Sequence, residues 1–357
     1  MHDSFTQRNL LSNRPLAYAL VSLFVFLAVI TAIRWGSVQL PFSTVVTILL
    51  QEGLHVPLGA EVDTRYVQIV LHIRLPRVML ALVVGASLAV AGAAFQGLLR
   101  NPLADPYTLG VSSGSALGAV AVIFFGLNLP FLNAFTLPVV AMGSGFATLV
   151  AVLSFTRAVN RTLSNETVVL AGIIVSSFLG AWLSLLIAMS GDELRQVISW
   201  LMGSVALRGW SYVGILLPFF VLGFALLFVC RMELNALMYG EETARQLGVN
   251  VTKRKYVILM GATILTGSAV AVSGTIGFVG LVVPHMTRLI WGPNHQDLLP
   301  LSALAGGGFL VLADFSARTV VAPTELPIGV VTALVGAPLF GYLLYKNNKQ
   351  KKRGHVA

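Results

Sequence analysis

Charge is scarce in this sequence. Asp, Glu, Lys and Arg make up only 10% of its 357 residues, against about 25% in an average soluble domain. So few charges cannot cover the surface of a soluble protein of this length. Together with an apolar share of 56%, this scarcity excludes a disordered protein, a nucleic-acid-binding module and an ordinary soluble enzyme. The composition instead predicts an integral membrane protein with many spans.

Cysteine is almost absent too, because Cys230 is the only one in the chain. An internal disulfide and a cysteine-based metal site are therefore excluded. The histidines show no metal-ligand spacing, so we expect neither a metal site nor a cofactor. No Gly-Lys pair occurs in the sequence, which excludes a phosphate-binding loop ending in Gly-Lys-Ser/Thr. Transport driven by ATP would thus need a separate ATPase chain.

Carboxylates are missing from the middle of the apolar runs. The 14 acidic residues fall almost entirely outside these runs, with Glu166 at the start of one run and Asp314 near the end of another. Secondary transporters that couple to ions usually place ionisable groups within their spans. This distribution argues against a proton- or sodium-driven transporter. No clustered catalytic set points to a membrane-embedded enzyme either.

What is present is a series of ten apolar runs, each close to the roughly 20 residues that a membrane span needs. The eighth run is short and is interrupted by Gly277, Gly280 and Pro284. We predict an all-α membrane protein whose single domain covers residues 1–357. The predicted spans are 16–33, 77–99, 108–127, 134–156, 167–190, 209–230, 255–274, 277–291, 298–315 and 327–345.

The positive charge indicates how the spans are oriented. With the N-terminus inside, most of the 23 Lys and Arg residues fall in inner loops or in the C-terminal tail. Because basic residues concentrate on the cytoplasmic side, both termini are predicted to lie in the cytoplasm. The net charge of +9 then reflects the membrane surface and not a nucleic acid. On the outer side, short helices are expected within 41–54 and 192–204.

The chain also shows a partial internal repeat. Segment 85–92 resembles 267–274, and segment 95–98 resembles 278–281. The first copy lies on an even-numbered span and the second begins on an odd-numbered one. The copies would therefore run in opposite directions, as in transporters with inverted repeats. Coincidence is an equal alternative, because membrane helices favour small residues for close packing.

The longest inner loop, 231–254, contains a short stretch of good helix formers between Gly240 and Gly248. Within this stretch Glu241 and Arg245 lie four residues apart. This spacing allows an ion pair on one face of a helix. The sequence therefore predicts a short helix in the loop.

The same short helix has an apolar side. Ala244 and Leu247 are three residues apart and are predicted to share one face. An amphipathic helix of this kind can insert into a groove of a partner protein. It can also be a solvated connection between two spans, and the residues alone favour this second interpretation.

Several long motifs follow one another along the chain. They comprise 74–77, 85–92, 101–111, 240–248, 274–285 and 325–338. Together they resemble the FecCD-type permease subunits of ABC importers for iron-siderophores, haem and vitamin B12. The resemblance runs nearly from end to end and keeps the motifs in order.

This resemblance implies a type II ABC importer permease fold of about ten spans with an inverted repeat. It implies a second permease subunit, identical or closely paralogous, with the transport path between the two subunits. It also implies cytoplasmic ATP-binding subunits and an extracytoplasmic substrate-binding protein. The expected location is the cytoplasmic membrane of a bacterium. Iron-siderophore import is the leading function, vitamin B12 or haem import the alternative, and a secondary transporter a weaker one.

The resemblance also assigns roles to residues. Segment 240–248 matches the family's ATPase-coupling helix, which outweighs its interpretation as a solvated connection. Arg74, Arg77 and Arg318 match the arginines that dock the binding protein, and the charge bias places all three outside. Arginine suits this role because it pairs bidentately with carboxylates. The residues expected to carry ATPase coupling are Gly240, Glu241, Ala244, Arg245, Leu247 and Gly248.

The inner gate and the path form the third group of expected sites. The family's gate lies in the turn before the fifth predicted span, which is 163–166 in this chain. Asn165 and Glu166 stand where small hydroxylated residues are expected. A lining of weakly interacting hydroxyls suits the passage of a bulky ligand. The residues expected to line the path on the fifth span are Ser176, Ser177 and Ser184.

Overall fold

The computed structural model describes residues 14–36, 39–53, 55–57, 62–159 and 163–354. Within these ranges the regular structure is entirely helical. Both ends of the predicted domain fall outside the described residues. The helices are α1 (Arg14–Arg34), α2 (Phe42–Ile48), α3 (Thr64–Gln68), α4 (Leu75–Leu98), α5 (Val111–Phe124), α6 (Thr136–Val159), α7 (Asn165–Met189), α8 (Leu194–Leu201), α9 (Trp210–Val229), α10 (Arg231–Met238), α11 (Glu241–Gln246), α12 (Val251–Ser273), α13 (Val279–Trp291), α14 (His295–Thr319) and α15 (Ile328–Gly354).

One long helix forms where α3 runs into α4. The π-helical stretch Ile69–Arg74 joins them, so that Thr64–Leu98 is continuous over 35 residues. Pro76 lacks an N–H, and its ring crowds the carbonyl of the preceding turn, which disfavours a regular α-helical turn there. The π-helical stretch lies at this point and widens the turn.

The predicted spans all coincide with helices, and the all-α membrane fold is confirmed. Two spans are shorter than predicted. The span expected at 108–127 is reduced to α5, which begins after Gly110 at a positive φ of 76°. The span expected at 277–291 is reduced to the 13 residues of α13, which follow Phe278 at a φ of 67°. Among the described residues, seven helices are long and apolar enough to cross a membrane: Arg14–Arg34, Thr64–Leu98, Asn133–Val159, Asn165–Met189, Trp210–Val229, Val251–Ser273 and His295–Thr319.

The short connecting helices also follow the sequence. Helix α2 continues as a π-helical turn to Gly53, within the predicted stretch 41–54, whose last residue lies outside the described residues. Helix α8 lies within the predicted stretch 192–204. The predicted inner loop 231–254 is mostly helical. It holds both α10 and α11, and α12 already begins at Val251.

Helix α4 is the centre of the bundle. It packs against α9, α12, α13 and α14. In the most apolar 18-residue stretch of Thr64–Leu98, 89% is buried inside the protein. Small residues make this packing possible. A side chain at Gly85 would meet the backbone of Gly306, and one at Gly92 would meet the backbone of Gly280. Helix α7 is the opposite case, because only 17% of its most apolar 18-residue stretch is buried.

The two copies of the repeated segment lie on helices that pack against each other. Segment 85–92 lies within α4, and segment 267–274 covers the end of α12 and its cap at Gly274. Helices α4 and α12 pack against each other. Segment 278–281 begins α13, whereas 95–98 ends α4. The inverted relation between the two copies stays a prediction.

Candidate functional site

Two clusters of buried cations lie at opposite ends of α4. We call the cluster around Arg74, Arg77 and Arg318 the arginine end, and the cluster around Lys255 the lysine end. Arg77 lies in the first turn of α4, and a hydrogen bond links the last residue, Leu98, to the lysine end. Along a helix that rises 1.5 Å per residue, these positions are about 30 Å apart. The two clusters are therefore separated by roughly the thickness of a membrane core.

Arg77 is the hub of the arginine end. Its Nε donates to the Oδ1 atom of Asp314 at 3.0 Å, and its Nη1 and Nη2 donate to the two carboxylate oxygens of Glu325 at 2.9 and 3.0 Å. The bonds to Glu325 form a bidentate pair, the strongest geometry available to an arginine. Hydrogen bonding from Arg77 lowers the pKa of Glu325 below its ordinary value. Sequence reasoning assigned no role to Asp314 or Glu325, although Asp314 stands four residues before Arg318.

The other two arginines hold the end of α1. The Nη1 atom of Arg74 donates to the carbonyl oxygens of Ile33 at 2.6 Å and Arg34 at 3.0 Å. Arg318 donates to the carbonyl oxygen of Ala32. The last carbonyls of a helix have no partner within it and carry partial negative charge, so cations are favoured there. These bonds tie α1 to α4 and α14.

The three predicted docking arginines therefore converge, but they are engaged and largely buried. Arg77, for example, exposes 13% of its side chain. All three line one cavity of about 740 Å³, which Glu325 also lines. A partner would have to reach them through this cavity. Their docking role stays a prediction.

At the lysine end, α11 has the glycine boundaries expected from the sequence. Gly240 has a φ of 114° and Gly248 a φ of 83°, values that residues with a Cβ rarely adopt. Between them Glu241 and Arg245 form the predicted pair at 3.6 Å. Glu242 also pairs with Arg245, at 3.2 Å.

The predicted apolar face of α11 is wrong in one respect. Ala244 is fully buried, whereas Leu247 is 67% exposed. Leu247 lies just beyond the last helical residue, so its side chain does not continue the face that holds Ala244. Ala244 therefore packs against the permease itself, and Leu247 is the apolar side chain that a partner could contact.

Lys255 is fully satisfied although its side chain is only 2% exposed. Its Nζ donates to the carbonyl oxygen of Leu163 at 2.5 Å, to Oδ1 of Asn165 at 2.8 Å and to Oε1 of Glu241 at 2.5 Å. An ammonium has three donors, and each has one acceptor here. Such pairing is needed because a buried charge without partners costs several kcal/mol, on the order of 3–5. Sequence reasoning missed Lys255, which lies at the predicted edge of a span.

Asn165 lies at the start of α7, in the turn where the gate is predicted, and its gate role stays a prediction. Its amide Nδ2 donates to the carbonyl oxygen of Leu98 at 2.9 Å, while its Oδ1 accepts from Lys255. The side chain thus links α4, α7 and α12. Glu166 is exposed, and Ser164 caps α7 by accepting from the backbone N–H of Thr167.

The three predicted path serines do not share one environment. Ser177 and Ser184 are exposed and lie seven residues apart, hence on the same face of α7. Ser176 is half-buried and faces α5, where a side chain at Gly110 would meet its hydroxyl. Ser177 and Ser184 therefore fit a path on the open face of α7, and Ser176 does not.

The fold and these clusters describe a membrane permease, and comparison with known proteins gives its family. The model of the FecCD transport family matches residues 23–346. The chain therefore belongs to the FecCD transport family and is a multi-pass ABC importer permease. Proteins of this kind are transport components and not enzymes.

The relatives agree with this assignment. The chain is 52% identical over 349 residues to the uncharacterized ABC transporter permease protein YvrB of Bacillus subtilis (strain 168), covering 98% of this chain and 99% of the relative. It is 46% identical over 272 residues to the cobalamin import system permease protein BtuC of Halobacterium salinarum, covering 76% and 72%. A solved inward-facing structure of a metal-chelate type ABC transporter matches with a TM-score of 0.81 and 34% identity, covering 93% and 99%.

Proposed function

We propose that this chain is the transmembrane subunit of an ATP-driven importer that carries ferric siderophores, which are large iron chelates, into a bacterium. It lies in the cytoplasmic membrane with both termini inside. ATP is hydrolysed by separate subunits at the lysine end. An extracytoplasmic binding protein delivers the chelate at the arginine end.

The observation that carries this proposal is the position of α11. Its base is held by the ion pair between Lys255 and Glu241, while Leu247 stands in solvent. A fixed helix that presents an exposed apolar side chain is suited to insert into a partner's groove. Arg245 and Glu242 are exposed beside it and can supply polar contacts at the rim.

The open face of α7 supports pairing with a second permease. Seven large apolar side chains are exposed along this helix in addition to Ser177 and Ser184: Leu170, Ile173, Ile174, Phe178, Trp182, Leu185 and Met189. Apolar surface of this extent is covered in a membrane by lipid or by another protein. Because hydroxyls interrupt the apolar face, we infer that a second permease subunit covers it and that the path runs between the two.

The arginine end supports docking of the binding protein. Three guanidinium groups line one cavity, and one of them, that of Arg77, already binds the carboxylates of Asp314 and Glu325 there. Acidic side chains of a partner would find donors there in bidentate geometry. The docking residues would be Arg77, Arg74 and Arg318, and Arg77 would make the main contact.

The substrate class rests on likeness to the metal-chelate transporter. Vitamin B12 or haem is the second candidate, favoured by the cobalamin import permease among the relatives. All of these ligands are bulky and combine apolar and polar surface. The weakly polar lining at Ser177 and Ser184 suits any of them.

Two experiments test the proposal. The binding protein encoded beside this chain is titrated with a ferric siderophore, haem and cobalamin, and tight binding of the siderophore alone is expected. Preference for cobalamin or haem would replace the iron chelate as substrate.

The second experiment measures assembly with the ATPase subunit. Leu247→Asp is expected to abolish co-purification of that subunit, because a charge replaces the exposed apolar contact. Leu207→Asp is the control, since Leu207 is an exposed leucine as well but follows α8 and lies outside the proposed interface. Unaltered assembly in the Leu247 variant would overturn the role of α11.

A further inference from the structure

We propose that Lys255 is the positioning residue that carries a movement of α11 to the start of α7. This inference rests on the proposed function, in which α11 receives the movement of the ATPase subunits. It adds to the permease a residue on which the opening of the inner gate depends, although this residue contacts neither the ATPase nor the substrate.

The hydrogen bonds of Lys255 fix the position of its side chain. Its three N–H donors go to three acceptors, one on α11 and two on the segment 163–165. Water cannot replace these acceptors easily, because the side chain is buried. If α11 moved alone, a charged donor would be left without a partner in the interior, which is strongly unfavourable. Helix α11 and the start of α7 therefore move together.

The other bonds of α11 do not provide this link. Its pairs between Glu241 and Arg245 and between Glu242 and Arg245 both lie within the helix. Among the described residues, the ion pair between Lys255 and Glu241 is the one that joins α11 to a helix of the membrane bundle. Lys255 is thus placed where a displacement of α11 enters the bundle.

The strengths of the bonds around Asn165 decide which contact opens. On one side Asn165 accepts from the charged Lys255, and on the other its amide donates to the carbonyl oxygen of Leu98. A bond to a charged group is roughly twice as strong as a bond between neutral groups. When α11 is displaced, the weaker bond from Asn165 to the carbonyl oxygen of Leu98 therefore breaks first. The start of α7 then follows Lys255 and α11 and separates from the central helix α4, which is a movement that can open a gate.

The test compares two peptides in the complete complex of permease, ATPase subunits and binding protein in lipid nanodiscs. Amide hydrogen exchange is measured over 240–249, which contains α11, and over 163–170, at the start of α7. Each complex is measured with and without magnesium and a non-hydrolysable ATP analogue. In the wild-type complex the nucleotide is expected to change exchange in both peptides.

Lys255→Met keeps the length of the side chain and removes the donors. In this variant the nucleotide-dependent change is expected to persist in 240–249 and to be lost in 163–170. Transport per ATP hydrolysed should fall about tenfold, as expected when a coupling energy between two sites is removed. Persistence of both changes would overturn the proposal. A wild-type complex whose 240–249 peptide does not respond would instead contradict the proposed function.

Two more variants complete the test. Lys253→Met removes a lysine two residues away that is exposed, and both exchange changes should persist in it. Loss of the 163–170 change in this control would show that a general loss of charge is responsible, which would also overturn the proposal. If the Lys255 variant does not assemble, Glu241→Gln weakens the bond from Lys255 to α11 and leaves its two bonds to segment 163–165. It also removes the pair with Arg245, which keeps its pair with Glu242. The 163–170 change should then shrink relative to the 240–249 change, and a wild-type ratio would contradict the inference.

Discussion

The two ends of α4 hold buried cations in opposite ways. At the arginine end, Arg77 binds the carboxylates of Asp314 and Glu325, while Arg74 and Arg318 bind the last carbonyls of α1, around a cavity of about 740 Å³. At the lysine end, one ammonium has one acceptor for each of its donors. At the arginine end, the carboxylate of Glu325 is 44% exposed. The arginine end can therefore exchange a partner, whereas we expect the lysine end to pass on a movement.

This difference separates binding from transmission in one molecule. An arginine whose carboxylate partner reaches solvent can accept another carboxylate at little cost, because surface pairs contribute only about 0–1 kcal/mol. A buried ammonium with all its bonds made loses much more when a bond breaks. The comparison predicts how variants at the two ends rank in stability, in docking and in response to pH.

The largest loss of stability is expected from Asp314→Ala. Asp314 is buried and pairs with Arg77 at 2.9 Å and with Arg318 at 3.7 Å, so its removal leaves two buried cations with too few partners. The free energy of unfolding in detergent, measured by denaturant titration, should fall by about 3–5 kcal/mol. Glu242→Ala is the control, because its pair with Arg245 is exposed and should cost less than about 1 kcal/mol. Equal losses would contradict this account of the arginine end.

A smaller loss is expected from Lys255→Met. The variant leaves the carbonyl of Leu163 and the amide oxygen of Asn165 without a donor, which costs about 1–3 kcal/mol. Glu241 is 29% exposed and keeps its pair with Arg245, so no carboxylate is stranded. The same denaturant titration checks this value, with Lys253→Met as a control near zero. A loss larger than that of Asp314→Ala would reverse the comparison.

At the arginine end, Glu325→Gln is expected to strengthen docking of the binding protein. Glu325 occupies two donors of Arg77 that a carboxylate of the partner would use. Without this competition the affinity should rise roughly fivefold, equivalent to about 1 kcal/mol, and the gain should fade at high salt. Binding to immobilised permease measures the affinity. Glu52→Gln, an exposed carboxylate elsewhere, serves as control. Weaker binding would show that Glu325 is itself a docking residue.

The smallest effect is the pH dependence of the pair between Arg77 and Glu325. Arg77 lowers the pKa of Glu325 below its ordinary value of 4.5. The pair therefore contributes its full stability above about pH 4.5 and loses it as the pH falls through the lowered pKa. The difference in unfolding free energy between the wild type and Glu325→Gln should shrink as the pH falls from 7 to 3. A constant difference would mean that ionisation of Glu325 does not contribute.

Much of the architecture could be predicted from the sequence. The apolar runs predicted the helices, and Gly240 and Gly248 predicted the limits of α11, because their positive φ values need glycine. Two spans were predicted too long, since hydropathy alone does not register the breaks before α5 at Gly110 and before α13 at Phe278. Hydropathy measures how apolar a segment is, and backbone conformation decides where a helix can begin.

The side-chain networks were harder to predict from the sequence. Arg77 and Glu325 are far apart in the sequence, so no periodicity connects them. Lys255 stands at the edge of a predicted span, where a lysine is expected to reach for the membrane surface, and only the fold brings it to Leu163, Asn165 and Glu241. Ala244 and Leu247 were placed on one face by their spacing. The short length of α11 separates them, because the helix ends before Leu247.

The most direct test of the whole account is concentrative uptake into proteoliposomes by the purified permease. With the binding protein outside and the ATPase subunits and ATP inside, a ferric siderophore should accumulate against its gradient. With the permease alone, neither a proton gradient nor a sodium gradient should concentrate the chelate. Uphill uptake by the permease alone under an ion gradient would contradict the claim that its energy comes from separate ATP-hydrolysing subunits.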